Sequence, residues 1–268
     1  MNLQSYIKQL RKHGKRAFTI EEILEEFKIS RNYARVALYR LIQSGDLVSP
    51  AKAFYVIVPP EYQTYGCIPA EQLIPILMKH LNIDYYVALL SAGLFHGATH
   101  QKPARFQVML NKRMSGNLVF GDVEIEFVYK KSLSGLPTQD FVVDTGYLKV
   151  ASPELTAIDL LNYPSHAGGL NHIATVFSEL AEAIDPEKLI ELAEKINARY
   201  QLQRIGYILE KIDVMDEDKK AQIIEALDAF LKGKMKYYIP IASEIEKMGY
   251  PKSKRWKIIE NTEIESDL

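Results

Sequence analysis

Over the first sixty residues, apolar positions recur three and four apart in short runs that glycine or proline ends. Leu3, Tyr6, Ile7 and Leu10 share one helical face, and Gly14 stops that helix. Thr19 opens T-I-E-E, a capping-box pattern: Thr19 can cap the amide three residues on while Glu22 reaches back. The helix it starts carries Ile23, Leu24 and Phe27. Ser30 then caps a third helix, RNYARVALYRLIQ, which Gly45 ends. LVSPAKAFYVIVPP follows, two β-prone runs around a polar turn with Pro50 and Lys52, and Pro59-Pro60 closes the unit. Three short helices and a hairpin are the winged helix-turn-helix plan.

The rest changes period twice. A helix over about 69–81 and another from near Asp84 give way to period-two runs: ARFQVML, GNLVF, DVEIEFVY, FVVDT and YLKV, with KKSLSGLPTQ as a surface loop. From Ser152 the pattern is helical again. It comprises SPELTAIDLLNY, GGLNHIATVFSELAEA, the long stretch PEKLIELAEKINARYQLQRIGYILEKI, and DEDKKAQIIEALDAFLKG, with boundaries at Asp185-Pro186 and Gly233. The tail has weak periodicity and no assignable role. The pattern predicts an α+β chain. A winged helix-turn-helix domain over 1–60 precedes a body over 61–268, β-rich to 150 with a mainly antiparallel sheet, a helical bundle over 151–233, and a tail over 234–268.

Charge sharpens this division. The 268 residues carry a formal net charge of −1, but residues 1–60 hold ten Lys+Arg against five Asp+Glu and the remainder 23 against 29. A head of +5 on a body of −6 points to a nucleic-acid-binding module joined to something that does not share that task. On a helical wheel, Ala34, Ala37, Leu38 and Leu41 face inward. Asn32, Arg35, Val36 and Tyr39 face outward, flanked by Arg31 and Arg40. Arg donates in bidentate fashion to guanine, Asn pairs with adenine, and Val touches a thymine methyl, so this face suits a major groove. Lys12, Lys15, Arg16, Arg40 and the wing's Lys52 are the candidates for phosphate.

The body tempts with chemistry that it does not complete. His96 and His100 stand at metal-ligand spacing, but Gly93, Gly97 and Pro103 interrupt the helix, and Gly97 occupies the place where a zinc protease needs Glu. Hydrogen bonds from these histidines and Gln101 to backbone at a helix-to-strand corner are the simpler expectation. Glu124 and Glu126 share a strand face, but Val128 stands where a nuclease-like site wants lysine. Glu154 and Asp159 are five apart, poor spacing for paired acid–base work. Cys67, the sole cysteine, excludes an intramolecular disulfide, fits a reducing cytosol, and reads as a small buried or loop residue. No apolar run is of signal-peptide or bilayer-spanning length, so a cytoplasmic protein without cofactor, metal or catalytic site is expected.

Several stretches resemble the AbiEi-type antitoxins of type IV toxin–antitoxin (abortive infection) systems. They are RNYARVALYRLIQSGDL and FYVIVPPEY at the N-terminus, then YYVALLSAGLFHGATHQKPARFQV, VASPELTAIDLLNYPSHAGGLNHIATVFSELA, QRIGYILE and the closing RWKIIENTEIESDL. The resemblance implies two roles. The winged helix would bind inverted repeats in its own promoter, as a weak dimer or as cooperating monomers, and repress the operon. The body would counter a nucleotidyltransferase-type toxin without a stable complex, as part of phage defence. It assigns no role to His96 or His100; Lys102 and Arg105 offer a basic surface beside that segment. The competing readings are a winged-helix transcription factor with a ligand-sensing or dimerising body and, further off, a metal-dependent enzyme.

Overall fold

The computed structural model describes residues 3–98 and 102–265, so His100 and Gln101 lie outside the described residues. The chain divides into two compact units, one of residues 1–86, 104–133 and 140–149, the other of 87–103, 134–139 and 150–268. The first begins with α1 (Leu3–Lys12), β1 (Ala17–Thr19), α2 (Ile20–Phe27), α3 (Arg31–Gln43), β2 (Leu47–Ala51) and β3 (Phe54–Ile57). The capping box forms: the Glu22 amide donates to Thr19 Oγ1 at 3.4 Å and the Thr19 amide to a Glu22 carboxylate oxygen at 3.2 Å. Lys28 turns left-handed (φ 53°) and ends α2, and Ser30 caps α3 two residues later. Ile7, Phe18, Ile23, Ala34, Leu38 and Leu41 build one core, with Leu3, Tyr6, Leu10, Leu24 and Phe27 packed at its edge. The strands form an antiparallel sheet in the order β1-β3-β2, and Lys52-Ala53 is the two-residue turn between Ala51 and its partner Phe54. This order of elements is compatible with a winged helix-turn-helix.

Next come α4 (Ala70–Leu81), β4 (Tyr85–Val87), α5 (Leu89–Phe95), β5 (Phe106–Leu110), β6 (Leu118–Phe120), β7 (Val123–Tyr129), β8 (Thr138–Val143) and β9 (Gly146–Ala151). The helix expected from Asp84 starts later, because Tyr85–Val87 is a strand. The strands form one sheet in the order β6-β7-β5-β4-β9-β8. It is mixed, not mainly antiparallel: β5 pairs with β7 in parallel from Phe106 opposite Ile125 to Leu110 opposite Tyr129, and β4 pairs with β9 in parallel. The cause is local. β6 and β7 fold back antiparallel across a tight Gly121-Asp122 turn, and β6 takes the sheet edge. That leaves the inner side of β7 to β5, which runs the same way and is buried along its whole length, as parallel strands are.

The second unit is helical: α6 (Pro153–Asn162), α7 (Leu170–Leu180), α8 (Pro186–Lys195), α9 (Arg199–Lys211) and α10 (Glu217–Leu231). Ser152 caps α6 with Pro153 at its first position, and every residue from Pro153 to Leu161 is buried, so α6 is the unit's central helix. Glu154 ties two helix starts together, accepting from Ser152 Oγ at 2.7 Å and from the Asp185 amide at 3.0 Å. The single long helix expected after Pro186 is two, because Asn197 turns left-handed (φ 57°), a conformation Asn tolerates. Within the described part of the tail three short strands form. β10 (Ile239–Pro240) pairs in parallel and β11 (Lys252–Ser253) antiparallel with β12 (Ile258–Ile259). Trp256, the only tryptophan, is fully buried against Gly206 of α9. Its Nε1 donates to a Glu210 carboxylate oxygen at 2.8 Å, and Gln203 Nε2 donates to its carbonyl at 2.8 Å.

Candidate nucleic-acid interface

α3 divides as its sequence pattern predicts. Ala34, Leu38 and Leu41 are buried and Ala37 is half-buried, while Asn32, Arg35, Val36, Tyr39 and the flanking Arg31 and Arg40 are exposed. Val36 at 55 % and Tyr39 at 62 % exposure stand out, because apolar side chains so open seldom recur on one face without a partner. Tyr33, 67 % exposed, joins that face; its i, i+3 spacing to Val36 is the sequence signal for it. The Tyr33 amide donates to Ser30 Oγ at 3.3 Å, and Arg31 reaches Glu21 at 3.0 Å, so the start of α3 is fixed to α2.

The basic residues separate into groups. Lys52 is exposed at the tip of the β2–β3 turn and Arg40 in the last turn of α3. Lys15 is held by Glu22 at 2.8 Å. Lys12 and Arg16 line a cavity of about 520 Å³ with Lys8 and Arg11, over a floor of Ile7, Leu41, Ile57 and Val58. α3 contributes only Leu41 to that cavity, from its buried side, so these four cations gather away from the outward face of α3. Lys102 is exposed; Arg105 is ion-paired with Glu124 at 2.8 Å.

Elsewhere the candidate reactive groups are engaged. His96 Nε2 donates to the Ala151 carbonyl at 2.7 Å, the helix-corner hydrogen bond expected of it, and a nitrogen that donates in this way is not a metal ligand. Burial pushes its pKa below 6.5, against the opposing pull of that carbonyl and of Glu154. Among the described residues no group of three or more His, Cys, Asp or Glu is placed to hold a metal ion. Burial pushes the Cys67 thiol up to about 12, so it is not a thiolate at neutral pH. Glu126 accepts from Gln107 at 2.9 Å and Glu124 from Asn117 at 3.0 Å. Among the described residues no helix is long and apolar enough to cross a membrane.

Residues 86–211 match the family described as the AbiEi antitoxin C-terminal domain. Over those residues the chain carries an AbiEi antitoxin C-terminal domain. The match supports an antitoxin role in a toxin–antitoxin system, and it runs from β4 to the last residue of α9, leaving α3 outside it. Gly206, inside the AbiEi domain, is where Trp256 of the tail seats. No curated protein matches the chain. Among solved structures, the RV2827C protein from Mycobacterium tuberculosis is similar to it with a TM-score of 0.67, covering 95 % of this chain and 89 % of that one at 17 % identity. At that identity the likeness is one of fold.

Proposed function

We propose that this AbiEi antitoxin represses its own operon by placing α3 in the major groove of inverted repeats in its promoter, and that it counters a nucleotidyltransferase-type toxin without forming a stable complex with it. In this reading residues 1–60 form the DNA-binding module, residues 61–268 are the antitoxin body, and the protein works in the cytoplasm. The observation that carries the DNA half is the outward face of α3, where Asn32, Arg35, Val36 and Tyr39 are all exposed on a helix whose other face is core. It presents donors for base edges and an apolar contact for a thymine methyl, set on a rigid support. Arg40 and Lys52 flank it as phosphate contacts.

The test is a gel shift with a promoter fragment. Arg35→Ala should weaken specific binding roughly five- to a hundred-fold, the worth of about 1–3 kcal/mol for one good base contact, while the urea unfolding midpoint stays unchanged. Unchanged affinity would remove α3 from the interface. For the antitoxin half, co-expression with the neighbouring toxin gene should relieve growth arrest, while the two purified proteins elute separately on size exclusion. A stable co-eluting complex would refute the second clause.

A further inference from the structure

A segment that ends α10 and enters the tail holds a charge pattern opposite to the body that carries it. From Lys232 to Lys257 there are eight Lys+Arg and two Glu, a net +6 within a body whose sum over 61–268 is −6. Tyr237, Tyr238 and Tyr250 are interleaved with those cations and exposed. Basic residues alternating with open aromatic rings are how proteins hold unpaired nucleotides. The cations follow the phosphates, and each ring offers a face on which a base stacks.

The start of this segment, Lys234, Lys236 and Tyr237, lines one cleft of the helical unit. Arg199, Tyr200 and Gln203 of α9 form one wall, and Lys234, Lys236 and Tyr237, just past α10, form the other, enclosing about 270 Å³. Tyr200 is 51 % and Tyr237 67 % exposed, and the first turn of α9 contains no acidic residue to repel an anion. The far wall is held in place: Lys257 Nζ donates to the Met235 carbonyl at 2.7 Å and the Ile239 amide to the Lys257 carbonyl at 3.0 Å, and Lys257 adjoins the buried Trp256. Glu194 lies 3.7 Å from Arg199 and 3.9 Å from Lys234, one carboxylate between two cations, which leaves the pair net positive. The volume, about 270 Å³, lies below the roughly 300–1,000 Å³ of ordinary ligand pockets and is far too small to take in a duplex.

We propose that this cleft binds a single-stranded polynucleotide, stacking bases on Tyr200 and Tyr237 and holding its phosphates with Arg199, Lys234 and Lys236. The site shares no residue with α3 and does not depend on the operator reading. Its test is fluorescence anisotropy of the full-length protein with labelled oligonucleotides of about a dozen nucleotides, as RNA, as DNA of the same sequence, and as the duplex. Binding to either single strand should exceed binding to a duplex of unrelated sequence, and the comparison of RNA with DNA identifies the source. Tyr200→Ala and Tyr237→Ala should each weaken single-strand binding roughly five- to a hundred-fold, with Tyr237→Phe retaining it. Lys236→Glu should lower the log–log salt slope by about 0.7 for each phosphate that is no longer neutralised. Arg35→Ala should leave single-strand binding intact, so failure of the operator reading and failure of this one are told apart. Absence of single-strand binding, or full binding by the Tyr200→Ala/Tyr237→Ala double variant with its fold intact, would overturn the proposal.

Discussion

At the residue scale the most constrained contact is one that periodicity could not reveal. Gly206 sits in the interior of α9, where glycine costs about 1 kcal/mol relative to alanine. A Cβ at that position would overlap the six-membered ring of Trp256, so the residue is glycine because the indole lies flat on the helix backbone. QRIGYILE and RWKIIEN are thus two halves of one contact, fifty positions apart, and the tail has a packing role that its irregular pattern conceals. Gly206→Ala should cost about 1–3 kcal/mol by overpacking, read as a lower urea midpoint, with the emission of the sole tryptophan shifting to the red. In a Trp256→Leu background, whose shorter side chain clears the added methyl, that cost should shrink; equal costs in both backgrounds would show that the two residues do not touch. His96 supports a pH prediction. Its folded pKa is depressed below 6.5 by burial, so below 6.5 the unfolded chain takes up a proton that the folded chain refuses. The contribution is therefore complete above pH 6.5 and is lost as the pH falls through the folded value. Urea midpoints measured from pH 7.5 down to 5 should fall less steeply for His96→Gln than for the parent protein.

At the scale of elements, what is legible in the sequence is punctuation. Thr19 with Glu22, Ser30, Ser152-Pro153 and Asp185-Pro186 each satisfy orphan amides within a few residues, so the local sequence suffices to place four helix starts. The break at Asn197 and the strand at Tyr85–Val87 are not legible. The first depends on one residue turning left-handed and the second on neighbours distant in sequence. Sheet direction, expected to be mainly antiparallel and found mixed, is hidden for a related reason: alternation tells which face of a strand is buried and says nothing about the direction of the strand beside it. The strongest local signal is also the simplest to test. Thr19→Ala removes one half of a two-way cap and should lower stability by about 1 kcal/mol, measured as a shift in urea midpoint without change in slope. Thr19→Ser, which keeps the hydroxyl, should restore most of it.

At the scale of the whole molecule, the charge division between head and body locates the candidate interface, but the edge of the head is not marked by a break in packing. Phe54, before Pro59-Pro60, stacks on His80 of α4 with ring centroids 4.2 Å apart, and the first compact unit extends to Tyr86 and beyond. Cutting the chain at residue 60 would strip that ring of its partner, so an inactive fragment would report on folding as much as on function. Substitutions in the intact chain separate the two proposed roles more cleanly. Arg35 and Tyr39 are exposed, make no contribution to the core, and lie outside the AbiEi domain match at 86–211. A full-length Arg35→Ala/Tyr39→Ala variant should therefore lose repression of a promoter–reporter fusion while still relieving growth arrest when the toxin is co-expressed. Gly206→Ala, placed inside the AbiEi domain, should do the reverse at temperatures where it unfolds the helical unit locally: rescue falls and operator binding by α3 persists. Loss of both activities in the α3 variant, with its urea midpoint unchanged, would mean that neutralisation runs through DNA binding and that the two roles are one.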